Sequence, residues 1–546
     1  MSLAGRRLRI AFAALILPVS LLGPATSVAQ TAEPTYPSPE WFAREAENFA
    51  TVSQAPLEQA MDPDFQVRWN EQSTANRTEY VTRRYVDGTW WWDSTGNLCN
   101  HWSFVCTGDP YRYPGVDPFY DEEGLVEEAI YFDAQGALLS GRVWVPRWSQ
   151  PGDELPGVVI ETGSVQAPET LYWWFAQSLV RSGYAVMTYD VRGQGRSDNR
   201  TPDGEMGSNA NDDVFATNLV DTIEFFQSTP DRPYPRVGTR ANAPIDDFNP
   251  FWDRIDHDRL GIVGHSLGAR GVSVVQGMDP WPGRLLGANP VDVAVAWDNL
   301  AGSGNLGGQD VKPRVPTMGQ SADYGLVPTA YTAPPAEDGK NAGFEAWKAA
   351  GVDTYQVNIR GGSHYEWSLL PGFPTSSWDW GNPLADHYTL AWLDRWLKLP
   401  DEAGFADADA RLLDDVSWVD RMSFYYDSAR FFETRTGALQ SCTDIKAGCA
   451  PTTTEPAATT LSLTVEGNGA NRRLTATLTE TGSAAPVAGE EIAFFADGAP
   501  LGTAVTGADG VATFTPARQE AAGHRTYRAE FAGDEAYEPS AAEASG

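Results

Sequence analysis

The chain has 546 residues, with 73 acidic against 39 basic side chains, a formal net charge of −34, four cysteines and six histidines. Its length exceeds one ordinary domain and admits two or three, the largest able to bury a full core. So acidic a balance argues against nucleic acid or an anionic membrane surface as partner, since both require basic patches, and disfavours strongly acidic polymers as substrates.

Residues 1–29 read as a signal peptide: Arg6, Arg7 and Arg9 precede an apolar run from Ile10 to Leu22, and small residues end at Ala29. The run is shorter than the ~20 residues a membrane span needs, and no later segment is long and apolar enough. The expectation is a secreted, extracellular protein. Export permits disulfides, and the cysteines fall into two local pairs, Cys99 with Cys106 and Cys442 with Cys449. The spacing within each pair is too wide for a zinc finger and lacks His partners, so no metal is expected.

Residues 30–124 are rich in aromatics, Pro and turns, and read as an irregular segment stapled by Cys99–Cys106. From 125 to 400 the pattern becomes periodic. "VEEAIYFDAQGALLSGRVWVP" predicts a hairpin turning at Asp133 to Gly136. The runs "GVVIETG", "YAVMTYD", "LGIVGHS", "DVAVAWD", "PTMGQSAD" and "TYQVNIRGG" predict strands, with helical patterns such as "ETLYWWFAQSLVRSG", "NDDVFATNLVDTIEFFQ" and "LADHYTLAWLDRWLK" between and after them. Strands buried on both faces and separated by helices predict an α/β fold, a mostly parallel, doubly wound sheet. Residues 401–449 read as its C-terminal extension, carrying Cys442–Cys449, and 450–460 as a Thr/Pro/Ala linker. Alternation of period two over 461–546 predicts a small β-sandwich without a catalytic cluster.

Within the α/β unit "GIVGHSLGAR" places Ser266 at a strand-to-helix turn, on the carboxyl edge where open sheets carry their sites. Gly264 and Gly268 would let strand and helix pack closely around a strained serine. A serine hydroxyl is a weak nucleophile, so a base must take its proton and a third group must orient the base. His265 adjoins the serine and reads as pointing elsewhere; His101, His257, His387 and His524 fall in the wrong places. His364, in "IRGGSHYEW" after the last strand, is the expected base. Asp323, in "PTMGQSADYGLVP", is the expected acid, in the chain order Ser, acid, His, with Asp298 in "VAVAWDN" as its competitor one strand earlier. The expected oxyanion donors are the backbone N–H groups of Leu267 and Ser164, with Val165 next.

These residues resemble the α/β-hydrolase superfamily over about Leu125 to Lys398, through "GHSLG", "YDVRGQGRSD" and the acid and base loops. "VPTMGQSADYGLVP" with "IRGGSHYEW" is similar to secreted bacterial polyester hydrolases of the cutinase type, although Ser164 and Leu267 stand where that family has an aromatic residue and Met. "DGVATF" and "GDEAYEPS" in the tail resemble bacterial Ig-like repeats, modules that space or attach to a cell surface or polymer. The resemblance implies a Ser-His-Asp hydrolase of small or polymeric carboxylic esters, needing no cofactor. An amidase or peptidase using the same triad remains an alternative, as does a non-catalytic binding protein on a hydrolase scaffold. Trp173, Trp174 and Trp367 flank the loops and are expected near the site; residues 230–258 and the aromatic N-terminal region could cap it.

Overall fold

The computed structural model describes residues 34–93, 107–164, 167–208, 210–370, 378–449, 457–468, 471–482, 484–517, 524–533 and 537–546. The expected signal peptide, the expected Cys99–Cys106 pairing, Val165 and most of the expected linker lie outside them.

The region expected to be irregular opens instead with two helices, α1 (Pro39–Met61) and α2 (Pro63–Val81). Each starts on a capping side chain followed by proline: Ser38 Oγ accepts the Trp41 N–H at 3.1 Å, and Asp62 Oδ1 the Asp64 N–H at 3.0 Å. Such caps satisfy N–H groups that a first helical turn leaves unpaired.

β1 (Gly124–Phe132) and β2 (Leu138–Pro146) form the expected hairpin, Gly124 opposite Pro146 through to Phe132 opposite Leu138. At its turn Asp133 Oδ1 accepts the Gln135 and Ala137 N–H groups, and Gly136 takes φ 87°, a left-handed conformation favouring glycine. Six strands follow: β3 (Leu155–Glu161), β4 (Ala185–Asp190), β5 (Ile255–His265), β6 (Val293–Trp297), β7 (Thr317–Ala322) and β8 (Thr354–Ile359). They pair in parallel in the order β4-β3-β5-β6-β7-β8. β2 runs antiparallel to β4. Residues 401–449 extend the far edge with antiparallel β9 (Ala429–Glu433) and β10 (Leu439–Cys442), the latter ending in the Cys442–Cys449 disulfide. This mixed ten-stranded sheet fits the α/β-hydrolase expectation.

Alternate residues of the parallel strands enter two separate cores. Val158, Ile160, Val186 and Val263 join one; Val159, Ala185, Met187 and Ile262 join the other. Helix α3 (Trp173–Arg181) covers the first face, while α4 (Val214–Phe226) and α5 (Leu267–Val275) cover the second. α6 (Ala342–Ala349) packs beside β7 and β8, and α7 (Trp378–Leu397) returns to the first face. Each fully buried Val or Ile contributes about 1.5–3 kcal/mol, so strands apolar on both faces are held firmly in the middle. Their carboxyl ends then form a rigid rim for loops.

The 230–258 insertion covers the outer hairpin. Asp246 Oδ2 accepts the Ile130 N–H at 2.9 Å, and Ala243 and Ile245 pack on a cluster of Trp92, Ile130, Phe132 and Leu138. It therefore closes over the β1 edge, not over Ser266.

Beyond the linker lie two antiparallel sheets sharing one core of Leu461, Leu474, Leu478, Ile492, Phe494, Tyr527 and Phe531, among others. One holds β11 (Thr459–Glu466), β12 (Arg473–Glu480) and β15 (Val511–Phe514). The other holds β13 (Glu491–Ala496), β14 (Ala499–Val505), β16 (Thr526–Phe531) and β17 (Ser540–Ser545). This is compatible with the expected sandwich. Among the described residues no helix is long and apolar enough to cross a membrane, and no group of three or more His, Cys, Asp or Glu could hold a metal ion.

Candidate active site

β5 ends at His265 and α5 begins at Leu267, so the chain reverses on Ser266 alone, at φ 59° and ψ −120°. A non-glycine residue there is strained, and strain of this kind is held at functional sites by its surroundings. The surroundings here are two close backbone approaches. A Cβ on Gly264 would collide with the Gly268 carbonyl oxygen, and one on Gly268 with the Thr162 carbonyl oxygen. Both glycines thus do the steric task expected of them. The Ser266 N–H is tied to the Trp297 carbonyl at 2.9 Å, which fixes the turn to β6.

His364 lies on the loop after β8, and its Nε2 stands 2.9 Å from Ser266 Oγ. Its Nδ1 stands 2.6 Å from Asp298 Oδ2. A carboxylate can only accept, so Nδ1 carries the proton and Nε2 is left to accept from the serine. The acid in contact is therefore Asp298, directly after β6, and the preference for Asp323 is corrected on this point. Asp298 Oδ1 also accepts from Ser321 Oγ, and the Asp298 N–H is bound to the Gln320 carbonyl at 2.8 Å. Burial alone would raise the Asp298 carboxyl. The hydrogen bond and charge of His364 outweigh it, with help from Lys340 and Ser321, and hold the carboxyl at about 2.

Asp323 faces away from the imidazole into buried surroundings. Its Oδ2 accepts the Gly361 N–H at 2.8 Å and the Asn48 Nδ2–H of α1 at 2.7 Å, and its Oδ1 accepts from Ser423 Oγ. Burial pushes this carboxyl up despite those bonds. Gly361 begins the turn on which His364 rides, so Asp323 anchors the base loop rather than the ring.

On the other side of the serine, Gly163 follows β3 so closely that a Cβ there would lie 3.1 Å from Ser266 Cβ. Its N–H is taken by Tyr172 Oη at 2.8 Å. Ser164 is the next residue after this close approach, and Leu267 opens α5 directly after the nucleophile. Sequence reasoning set His265 aside, yet its Nδ1 lies 2.9 Å from Tyr172 Oη and its Nε2 2.8 Å from the His364 carbonyl.

Trp174 and Trp367 serve packing, the Trp367 ring lying 5.9 Å from that of His265. Trp367 is fully buried, its Nε1 donating to Gln320 Oε1 at 2.8 Å, and Trp174 Nε1 donates to the Trp367 carbonyl at 2.9 Å. Trp173 lines a cleft shared with Asn76 and Glu79 of α2.

No family model matches the sequence, and no curated protein is similar to it. Among solved structures the chain is similar to a hypothetical protein from Pseudomonas aeruginosa, at 16% identity and a TM-score of 0.23, covering 32% of this chain and only 43% of that one. It is similar also to a ferulic acid esterase from Streptomyces cinnamoneus, at 15% identity and a TM-score of 0.32, over 50% of this chain and 89% of that one. A thermophilic esterase from the planctomycete Thermogutta terrifontis gives 14% identity and a TM-score of 0.33, over 48% and 91%.

Proposed function

We propose that the protein is a secreted serine hydrolase cleaving carboxylic ester bonds, small or polymeric. The observation that supports this best is the unbroken hydrogen-bond chain from Ser266 Oγ through His364 to Asp298, built on a strained strand-to-helix turn. In this reading Ser266 Oγ attacks the ester carbonyl as His364 Nε2 takes its proton. Asp298 keeps the other proton on Nδ1 and stabilises the imidazolium that forms. The Leu267 and Ser164 N–H groups receive the charge that builds on the carbonyl oxygen, where preorganised donors are worth several kcal/mol. His364 then protonates the leaving alcohol, and water, activated by the same imidazole, releases the acid from the acyl-serine.

Secretion is supported by the leader-like N-terminus and the Cys442–Cys449 disulfide. The C-terminal sheets, read as an Ig-like module, would hold the enzyme at a cell surface or polymer. Hydrolysis of p-nitrophenyl esters from acetate to palmitate by the mature protein tests the activity, with Ser266→Ala as control and a p-nitroanilide beside them. We expect ester turnover that vanishes in Ser266→Ala and little cleavage of the anilide. No ester turnover, with no labelling of Ser266 by a fluorophosphonate, would overturn the proposal; preferential anilide cleavage would move it to an amidase.

A further inference from the structure

We infer that Tyr172 and His265 form a positioning relay that ties the oxyanion loop to the backbone of the catalytic base, an inference that rests on the triad reading above. Three hydrogen bonds run in series. The Gly163 N–H donates to Tyr172 Oη at 2.8 Å, the Tyr172 hydroxyl donates to His265 Nδ1 at 2.9 Å, and His265 Nε2–H donates to the His364 carbonyl at 2.8 Å.

Chemistry fixes the direction of each bond. A carbonyl only accepts, so Nε2 of His265 carries the proton and Nδ1 of the neutral ring must accept. Tyr172 spends its single proton on that nitrogen and can only accept from Gly163. The ring stays neutral because burial, and then the nearby His364, hold its imidazole down at about 3. The tautomer is therefore the same at any pH where the enzyme would act.

The relay is buried and has little slack. Tyr172 is wholly inaccessible and His265 3% exposed, with the His265 and His364 rings 4.7 Å apart. A member that loses its partner in such surroundings is left with an unsatisfied buried polar group. Its two ends are the two halves of the proposed chemistry. The Gly163 N–H lies one peptide unit before the N–H of Ser164, the expected oxyanion donor, and the His364 carbonyl belongs to the base itself. A shift of Tyr172 moves the donor that receives the oxyanion, and a shift of His265 moves the imidazole that takes the proton.

The test is a double-mutant cycle on the full mature protein, with p-nitrophenyl acetate as substrate and kcat, KM and Tm as readouts. Misplacement of a catalytic group by an ångström costs up to about 100-fold, so His265→Leu should lower kcat about 10- to 100-fold with KM nearly unchanged. His265→Gln, whose Nε2 can still donate to the His364 carbonyl, should recover most of that loss. Tyr172→Phe should cost about tenfold alone and much less in the His265→Leu background, since interacting residues are non-additive. Fully additive losses, or equal losses in His265→Gln and His265→Leu, would overturn the relay. If His265→Leu fails to fold, Tyr172→Phe and His265→Gln decide alone: an unchanged kcat in Tyr172→Phe overturns the proposal, and a lowered kcat at unchanged KM, in protein still folded at the assay temperature, upholds it. A wild-type protein without esterase activity would instead remove the triad reading, and the relay with it.

Discussion

At the scale of single residues the sharpest contrast is between two aspartates that each follow directly on a parallel strand. Asp298 touches His364 Nδ1, whereas Asp323 binds Gly361, Asn48 and Ser423. Their substitutions should separate accordingly. Asp298→Asn leaves the imidazole in the wrong tautomer, and kcat for an ester should fall by about 10⁴-fold with little change in folding. Asp323→Asn turns an amide N–H toward groups that are themselves donors, so its effect should appear as about 1–3 kcal/mol of lost stability, with kcat reduced less than about tenfold. Steady-state kinetics and a thermal melt on both variants check this; the reverse pattern would restore Asp323 as the acid. Sequence could place both residues at the rim but could not choose between them, because strand period says nothing of where the residue after the strand points. The choice is made by Ser321, which holds Asp298, and by Asn48, which engages Asp323 from 275 positions earlier in the chain.

Among the elements, α1 carries more of the site than its distance in sequence suggests. Besides Asn48, it sends Glu45 to accept from the hydroxyls of Tyr324 and Tyr425 and from the Tyr331 N–H at 2.6 Å. The N-terminal helix is thereby stitched to the loop after β7, next to the turn that bears His364. Asn48→Leu removes one donor from a buried carboxylate and should lower stability by about 1–3 kcal/mol, read as a fall in Tm with the loop after β7 becoming more susceptible to proteolysis. An unchanged melt and digestion pattern would mean that α1 is merely adjacent. The parallel strands were legible because burial on both faces leaves continuous apolar runs. α2 was not, since only Phe65, Ser73 and Tyr80 of this helix are buried and no apolar stripe forms. Ser38-Pro39 and Asp62-Pro63 were the readable signals, a capping side chain before a first-turn proline.

For the whole molecule the question is how an acidic protein with buried carboxyls responds to pH. Burial raises Asp190 to about 6 and Asp221 to about 7, and pushes Glu161 well above the ordinary carboxylate range. Unfolded, such groups titrate near about 4. Between those limits the folded chain binds more protons than the unfolded one, so stability rises as pH falls from about 8 toward 6. Partial neutralisation of a net charge of −34 acts in the same direction. His265 opposes them: its unfolded imidazole gains a proton below about 6.5, while the folded one resists down to about 3, so its contribution is lost progressively as pH drops through that interval. Asp298, held at about 2, adds a further loss only below about 4. The balance places maximal stability on the mildly acidic side of neutrality. Tm of the unit built on the ten-stranded sheet should be higher at pH 6 than at pH 8.5 by at least about 2 °C. Glu161 sits at the end of β3 with Oε1 accepting from Tyr189 at 3.0 Å and Oε2 without a hydrogen-bond partner. Glu161→Gln, neutral at every pH, should shrink that difference by raising Tm at pH 8.5 more than at pH 6. A Tm that is flat or falls on acidification across this range would mean that these carboxyls remain charged in the folded protein.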